Sequence, residues 1–137
     1  MNLAVLLKQA GETVAARHMY ELVVAGHTVA LGPRHADTLR AQINLAVLLK
    51  ETGEAVEARR VYKLVVAGYT EALGPQHTNT LEVQLRLAVL LKEHGATAEA
   101  RRLCEAVADG YAVVYGADHA KTVDARKWAA SCMFPVV

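Results

Sequence analysis

Three histidines recur at one fixed spacing, and they are the first residues whose chemistry has to be weighed. His35, His77 and His119 are 42 residues apart, and imidazole is a common metal ligand. Equivalent residues in stacked helical repeats lie on the order of 10 Å apart, whereas a metal–nitrogen bond is near 2 Å. The three histidines therefore cannot share one ion, and we predict no metal site. A threonine follows each histidine three residues later, and we expect both side chains to cap free N–H groups where a helix begins.

Two cysteines are the remaining candidates for covalent chemistry. Cys104 and Cys132 have no CxxC spacing, which suits free thiols better than a disulfide framework. Cys104 occupies the position that Tyr20 and Tyr62 hold in earlier parts of the chain, which predicts a core site, and no periodic feature places a base beside Cys132. The sequence shows no Gly-rich phosphate loop, no paired in-register carboxylates and no Ser/His/Asp arrangement. We therefore predict that the chain is not an enzyme and needs no cofactor.

Internal repetition is the strongest signal in the sequence. The segment Asn-Leu-Ala-Val-Leu-Leu-Lys at residues 2–8 returns at 44–50, and a close variant of it returns at 86–92. A fixed period of this length is typical of stacked helical units, because one unit cannot bury its apolar face alone. The predicted units are residues 2–43, 44–85 and 86–127.

Each unit is predicted to form two amphipathic helices, an A helix followed by a B helix. Leu45, Leu48 and Leu49 have helical spacing in one segment, and a second apolar set follows the turn at Gly53. The Gly74-Pro75 pair ends the B helix, because glycine adopts the left-handed cap and proline cannot continue the helix. The predicted helices are 2–10, 13–31, 36–52, 55–73, 78–94, 97–114 and 120–132.

The composition agrees with an all-α fold. Aromatic residues make up only 5% of the chain, and the 53% hydrophobic content is dominated by Ala, Leu and Val, which favours packed helices over a β sandwich or barrel. Gly26, Gly68 and Gly110 fall inside the predicted B helices, where each costs about 1 kcal/mol relative to alanine. We expect close packing against a neighbouring helix to explain these glycines.

The pattern of Leu45-Ala46, Gly53, Ala58 and Tyr62 resembles the tetratricopeptide repeat, and the segment 73–80 resembles its 42-residue kinesin light chain subtype. The resemblance covers residues 1–130 and implies a right-handed superhelical α-solenoid of antiparallel helix pairs. It implies about three repeats and a C-terminal capping helix, followed by a tail at 131–137. It also implies a cargo or partner adaptor, although no heptads of the kind that attach kinesin light chains to the motor are visible.

By this resemblance the A helices line a concave groove that holds a partner. The predicted groove residues are Val5, Ile43, Val47, Leu85 and Val89, then Lys8, Lys50 and Lys92, with Arg40 and Glu82 at the edge. Two interpretations of the lysines stay open: a solvated helix face, or a ladder of cations that steers acidic residues of an extended peptide. Valine replaces the asparagine that a carboxylate clamp would need, so Asn2 and Asn44 are expected to be structural.

Charge and hydropathy limit the partners. Fifteen basic and fourteen acidic residues leave a net charge of +1, which does not favour nucleic acid. The apolar runs are far shorter than the roughly 20 residues of a transmembrane helix, and no secretory signal is visible. We therefore expect a cytoplasmic, reducing location and no membrane insertion.

The leading hypothesis is a protein-interaction scaffold or adaptor that binds an acidic-hydrophobic protein or peptide in the groove. The first A helix begins only at Met1 and is shortened relative to 36–52, so its apolar surface would need a cover. An alternative is therefore a structural or self-associating part of a longer repeat array, joined through this helix. A noncatalytic subunit of a larger complex is a further alternative.

Overall fold

The computed structural model describes residues 13–133, which form six α-helices and no strand. The predicted all-α class is confirmed, and the helix bounds differ from the predicted ones by at most one residue. Within these residues no helix is long and apolar enough to cross a bilayer. The predicted helix 2–10 lies outside the described residues. The helices are α1 (Thr13–Leu31), α2 (Ala36–Glu51), α3 (Ala55–Leu73), α4 (Thr78–Glu93), α5 (Thr97–Tyr115) and α6 (Ala120–Met133).

The chain divides into two compact units, Met1–Gly68 and Tyr69–Val137, with the boundary inside α3. In the first unit α1 packs against α2. In the second unit α5 packs against both α4 and α6. The aliphatic residues that patterned the A helices are buried, as Leu48 and Leu90 show with 1% exposure each, so the helical periodicity identified the core faces correctly.

The turn that precedes each A helix has the same construction three times, as the segment 74–80 shows. Gly74 has a φ of +96°, a left-handed conformation that glycine adopts without strain. The backbone N–H of Asn79 donates to His77 Nδ1 at 3.1 Å, so the predicted histidine cap is confirmed. The prediction for the threonine is wrong, because the Thr80 hydroxyl donates back to the Gly74 carbonyl at 2.9 Å instead of accepting from the new helix. The same bonds recur at His35 and Thr38, and at His119 and Thr122.

Replacing Thr80 by valine is expected to lower the free energy of unfolding by about 1.5 kcal/mol, because Thr80 is fully buried and the Gly74 carbonyl would lose its donor. Urea unfolding followed by circular dichroism measures the loss. Thr52→Val is the matched control, since the Thr52 residue is exposed and its hydroxyl meets carbonyls of its own helix. Equal losses in the two variants would contradict a special role for the turn.

The glycines inside the B helices do not share one explanation. A Cβ atom added to Gly68 would lie 2.6 Å from Leu39 Cδ2, and one added to Gly110 would lie 2.7 Å from Leu81 Cδ2. Close packing therefore explains these two glycines, as predicted. Within residues 13–133 a Cβ atom on Gly26 would meet nothing within 4 Å, so close packing in this part of the chain does not explain Gly26.

Candidate functional site

The predicted groove residues of α2 form a partly open strip along one side of the helix. Ile43, Val47 and Lys50 are half-buried, whereas Leu48 and Leu49 on the inner side are almost fully buried. The strip follows from spacing, since residues three and four apart in a helix share a face. It therefore offers accessible apolar surface next to a lysine.

The edge of this strip is charged and exposed. The Arg40 side chain is 72% exposed and its guanidinium lies 3.9 Å from the Asp37 carboxylate, a distance at which an exposed ion pair contributes little. The remaining predicted groove residues of the first unit, Val5 and Lys8, lie outside the described residues, as does Asn2.

The α4 helix repeats the arrangement in the second unit. Val89 and Lys92 are half-buried, and Glu82 is exposed and paired with Arg86 at 3.7 Å. Leu85 is also half-buried, but it packs against both apolar clusters of this unit. Leu85 therefore supports the core as well as the strip, while Val89 and Lys92 are its more available members.

Lys92 also contacts an aromatic residue that is not among the predicted groove residues. Its Nζ atom lies 5.1 Å from the centroid of the Trp128 ring on α6, a cation–π geometry. The two residues share an open cavity of about 290 Å³. Its lining is Lys92, Asp124, Lys127, Trp128 and Ser131.

The register of the repeat would have found part of this lining. Asp124, Lys127 and Ser131 stand 42 residues after Glu82, Leu85 and Val89, so α6 continues the groove positions of the A helices. From the sequence, α6 was predicted only as a capping helix and not as a further groove-lining helix. Trp128 stands at the position of Arg86 and Asn44, outside the predicted groove set, and gave no periodic signal.

The chemistry of this cavity is that of a binding pocket for a mixed ligand. Two ammonium groups, of Lys92 and Lys127, stand near one carboxylate, of Asp124, and the indole of Trp128 is 36% exposed. A ligand carboxylate would meet the lysines, and a flat apolar group would cover the indole. Backbone of the two helices is already paired in helical hydrogen bonds, so recognition here would come from side chains.

A second aromatic cluster lies where α5 meets α6, and its residues contact one another through ring stacking and cation–π interactions. The Tyr115 ring stacks on His119 with centroids 4.4 Å apart, and Lys121 Nζ lies 5.9 Å from the Tyr111 ring and 5.7 Å from the Tyr115 ring. Burial, with smaller effects from Glu82 and Tyr115, raises the pKa of Tyr111. The cluster thus joins two helices and keeps the Tyr111 phenol neutral.

The cysteines occupy buried positions. Cys104 is 1% exposed and Cys132 is 7% exposed, which confirms the predicted core site for Cys104. Burial raises the pKa of Cys104 to about 11, so at neutral pH it is a thiol and a poor nucleophile. Among the described residues no three His, Cys, Asp or Glu side chains are grouped to hold a metal ion.

Comparison with known proteins decides the family. The sequence model of the tetratricopeptide repeat matches residues 1–71 and, in a second overlapping match, residues 44–111. The chain belongs to the tetratricopeptide repeat family. This family is generally noncatalytic and typically provides scaffolds for protein–protein interaction. No curated protein sequence matches the chain significantly.

The chain is similar to solved structures of kinesin light chain-like tetratricopeptide repeats. Two structures of kinesin light chain nearly identical TPR-like repeats from Podosopora anserina, one of them a point variant, are each 28% identical to it. Their TM-scores are 0.81 and 0.80, and each match covers 95% of this chain. The chain spans 61% and 62% of the length of those two chains. The predicted TPR-like α-solenoid is thereby confirmed.

A third solved structure agrees in fold alone. BtubC (BKLC) from P. vanneervenii has a TM-score of 0.76 at 18% sequence identity, over 95% of this chain and 57% of that chain. A likeness at this identity shows a shared fold and carries no statement about function.

Proposed function

We propose that the chain is an interaction scaffold that binds an extended, acidic-hydrophobic peptide through the predicted groove residues of its A helices. The observation that carries the proposal is the half-buried strip of apolar residues and lysines, which recurs on α2 and α4 in the same register. In solenoids of this family the A helices line one concave surface. Such a strip exposes apolar surface that a bound ligand can remove from water, and this burial favours binding.

The apolar contacts would come from Val47 and Val89. Both are half-buried on the solvent side of their helices, so a peptide side chain can remove the rest of their surface from water. A valine at this position offers no hydrogen bond to a terminal carboxylate. The proposed ligand is therefore an internal, extended segment with apolar side chains and not a free C-terminus.

The charged contacts would come from Lys50, Lys92 and Lys127. Lys50 and Lys92 follow the valines by one helical turn, and Lys127 lines the cavity beside Trp128. Acidic side chains of the ligand would be steered by these cations. Arg40 and Glu82 at the strip's edge have opposite signs, so they would set the register of the ligand more than its affinity.

The test starts with peptides selected from a random-sequence display library on the wild-type chain. Their affinity is then measured by fluorescence anisotropy for the Val47→Glu and Val89→Glu variants. Each substitution places a negative charge at a half-buried position of the strip. We expect at least tenfold weaker binding, about 1.4 kcal/mol, since the new carboxylate would be desolvated by the ligand. Val56→Glu is the matched control, because Val56 is 76% exposed on the B helix α3.

Unchanged affinity in both strip variants, with helicity intact by circular dichroism, would show that the peptide does not bind at the strip.

The alternative of self-association through residues 1–7, or of a noncatalytic subunit in a larger complex, stays a prediction. Sedimentation velocity across a range of concentrations tests the first, since a concentration-dependent dimer lost on Leu3→Glu substitution would support it. The cytoplasmic location proposed for the scaffold is tested by imaging a tagged chain in cells.

A further inference from the structure

One side of α1 carries an exposed stripe without any Asp, Glu, Lys or Arg. Val14 is 83% exposed, Leu22 is 53% exposed and Val29 is 89% exposed, and His18 and Ala25 between them are exposed as well. These five residues, the α1 stripe, follow one another at intervals of four, four, three and four positions, so they share one face of the helix. We propose that the α1 stripe is a self-association site, on which a second copy of the chain packs its own α1 stripe in antiparallel orientation.

The same repeat positions on the other two B helices carry charges. Arg60 and Glu71 interrupt the corresponding stripe on α3, and Arg102 and Asp109 interrupt it on α5. Charged side chains keep an exposed helix face solvated, whereas a continuous exposed row of aliphatic residues marks an interaction surface. The α1 stripe therefore differs from its counterparts in the direction that favours a partner.

The spacing within the stripe identifies a second copy as that partner. Measured along the chain, Val14 and Val29 are equally far from the point between residues 21 and 22, and so are His18 and Ala25. A two-fold axis beside Leu22 would place Val14 opposite the partner's Val29. It would also place His18 opposite the partner's Ala25. A two-fold contact uses the same patch on both copies, so it needs a patch that matches itself in this way.

Side-chain size and charge agree with the antiparallel pairing. The small Ala25 leaves room for the partner's imidazole at position 18, and a single polar residue in an otherwise apolar helix–helix seam fixes the register of the pair. Glu21 borders the stripe, but its carboxylate is paired with the Arg17 guanidinium of the same helix at 2.8 Å. Each copy thus brings an edge without net charge, and no repulsion opposes the contact.

The size of α1 predicts a weak dimer. The helix has 19 residues and is therefore about 28 Å long, so one helix against one helix buries less than the roughly 800 Å² per partner of a standard interface. We expect a dimer Kd on the order of 10–100 μM.

A lipid surface fits the α1 stripe less well than a second copy does. Helices that lie on membranes are rich in Lys and Arg on their polar face. Arg17 is the only Lys or Arg of α1.

Sedimentation velocity of the full chain, from about 5 to 500 μM, measures the dimer. Leu22→Glu should raise the dimer Kd at least tenfold, because each dimer would bury two carboxylates beside the axis. Leu64→Glu is the matched control, since Leu64 holds the same repeat position on α3 and is 49% exposed. The control should change the dimer Kd less than twofold.

A charge swap tests the antiparallel orientation. His18→Glu and Ala25→Lys should each raise the dimer Kd at least fivefold, because each puts two unpaired charges into the seam. The double variant should return to within threefold of the wild type, because two Glu–Lys pairs would then face each other across the seam. A parallel pair would bring equal positions together, and the double variant would stay weak.

Several outcomes would overturn the proposal. A wild-type chain that stays monomeric over the whole concentration range would do so. A dimer that survives Leu22→Glu but is lost on Leu3→Glu would place the contact at residues 1–7 instead. Flotation with phosphatidylcholine vesicles that Leu22→Glu abolishes, without any dimer, would assign the stripe to a lipid surface.

The self-association site and the proposed peptide strip are separable. The stripe lies on a B helix and the strip on A helices, so saturation with a selected peptide should change the dimer Kd less than twofold. Likewise, Leu22→Glu should leave the peptide affinity unchanged. Since the substituted residues of α1 are exposed, we expect the variants to fold, and circular dichroism checks their helicity.

Discussion

Replacing Leu81 by alanine is expected to lower the free energy of unfolding by about 3 kcal/mol, and adding Gly110→Ala to that variant to restore about 1 kcal/mol. Leu81 is 2% exposed and packs with Val107, Ala108 and Tyr111. Its truncation leaves a cavity where Leu81 Cδ2 approached Gly110. A Cβ atom at position 110 would partly fill that cavity.

In the wild-type chain, Gly110→Ala should have the opposite effect and lower the free energy of unfolding. There the new Cβ atom would lie 2.7 Å from Leu81 Cδ2, so a buried leucine would have to leave its rotamer. We expect that displacement to outweigh the helix-propensity gain and to destabilise Gly110→Ala by about 1 kcal/mol. The two substitutions are therefore coupled by about 2 kcal/mol, a size typical of residues in direct contact.

The measurement is a double-mutant cycle from urea unfolding curves of the wild type, both single variants and the double variant. Gly26→Ala is the matched control, because it makes the same substitution inside a B helix where no atom of the described residues would lie within 4 Å of the new Cβ. It should stabilise the chain by about 1 kcal/mol. If Gly110→Ala stabilised the wild type as much as Gly26→Ala does, close packing would not be the reason for the glycine.

The comparison of Gly26 with Gly110 also shows what sequence can and cannot predict. Both glycines occupy the same place in the repeat, so the repeat pattern predicts one explanation for both. What separates them is the partner residue: leucine at positions 39 and 81 reaches Gly68 and Gly110, whereas Gly26 meets no such side chain among the described residues. Periodicity fixes where a residue stands on its helix, but only tertiary structure supplies its neighbour.

Helix bounds were predicted closely because each end carries its own local chemistry. Glycine with positive φ ends the helices at Gly53 and Gly74, and a histidine side chain caps the start after His77. These signals act within a few residues and need no information about packing. The threonine hydrogen bonds were predicted wrongly for the same reason, since a hydroxyl can serve either end of a turn and its choice depends on which carbonyl lies near.

The candidate site was predictable as far as the repeat register extends. Valine and lysine at the groove positions of α2 and α4 follow from period and helical spacing alone. Trp128 does not, because it departs from the repeat at a position held by Arg86 and Asn44. The contact of Trp128 with Lys92 depends on how α6 packs in the second unit. The pattern of residue types does not predict that packing.

The charge reversal Lys92→Glu is expected to weaken the binding of a selected acidic peptide by about 30-fold, or about 2 kcal/mol. The change replaces one attraction by one repulsion in a half-buried site, and each is worth about 1 kcal/mol there. Lys92→Met should lose only the attraction and weaken binding by about fivefold, because the aliphatic stem still covers Trp128. Fluorescence anisotropy with a labelled peptide measures both variants.

Salt separates this electrostatic effect from a loss of packing. The affinity of the wild type should fall as sodium chloride rises from 50 to 300 mM, and Lys92→Glu should show the opposite or a flatter dependence, because screening weakens its repulsion. Arg102→Glu is the matched charge reversal on the B helix α5 and should change affinity less than twofold. Since Lys92 is held over an indole instead of being free in solvent, its charge is placed before the ligand arrives, and less side-chain entropy is lost on binding. If Lys92→Glu and Arg102→Glu had equal effects, net charge alone would be steering the peptide, and the Lys92–Trp128 pair would be only a structural contact.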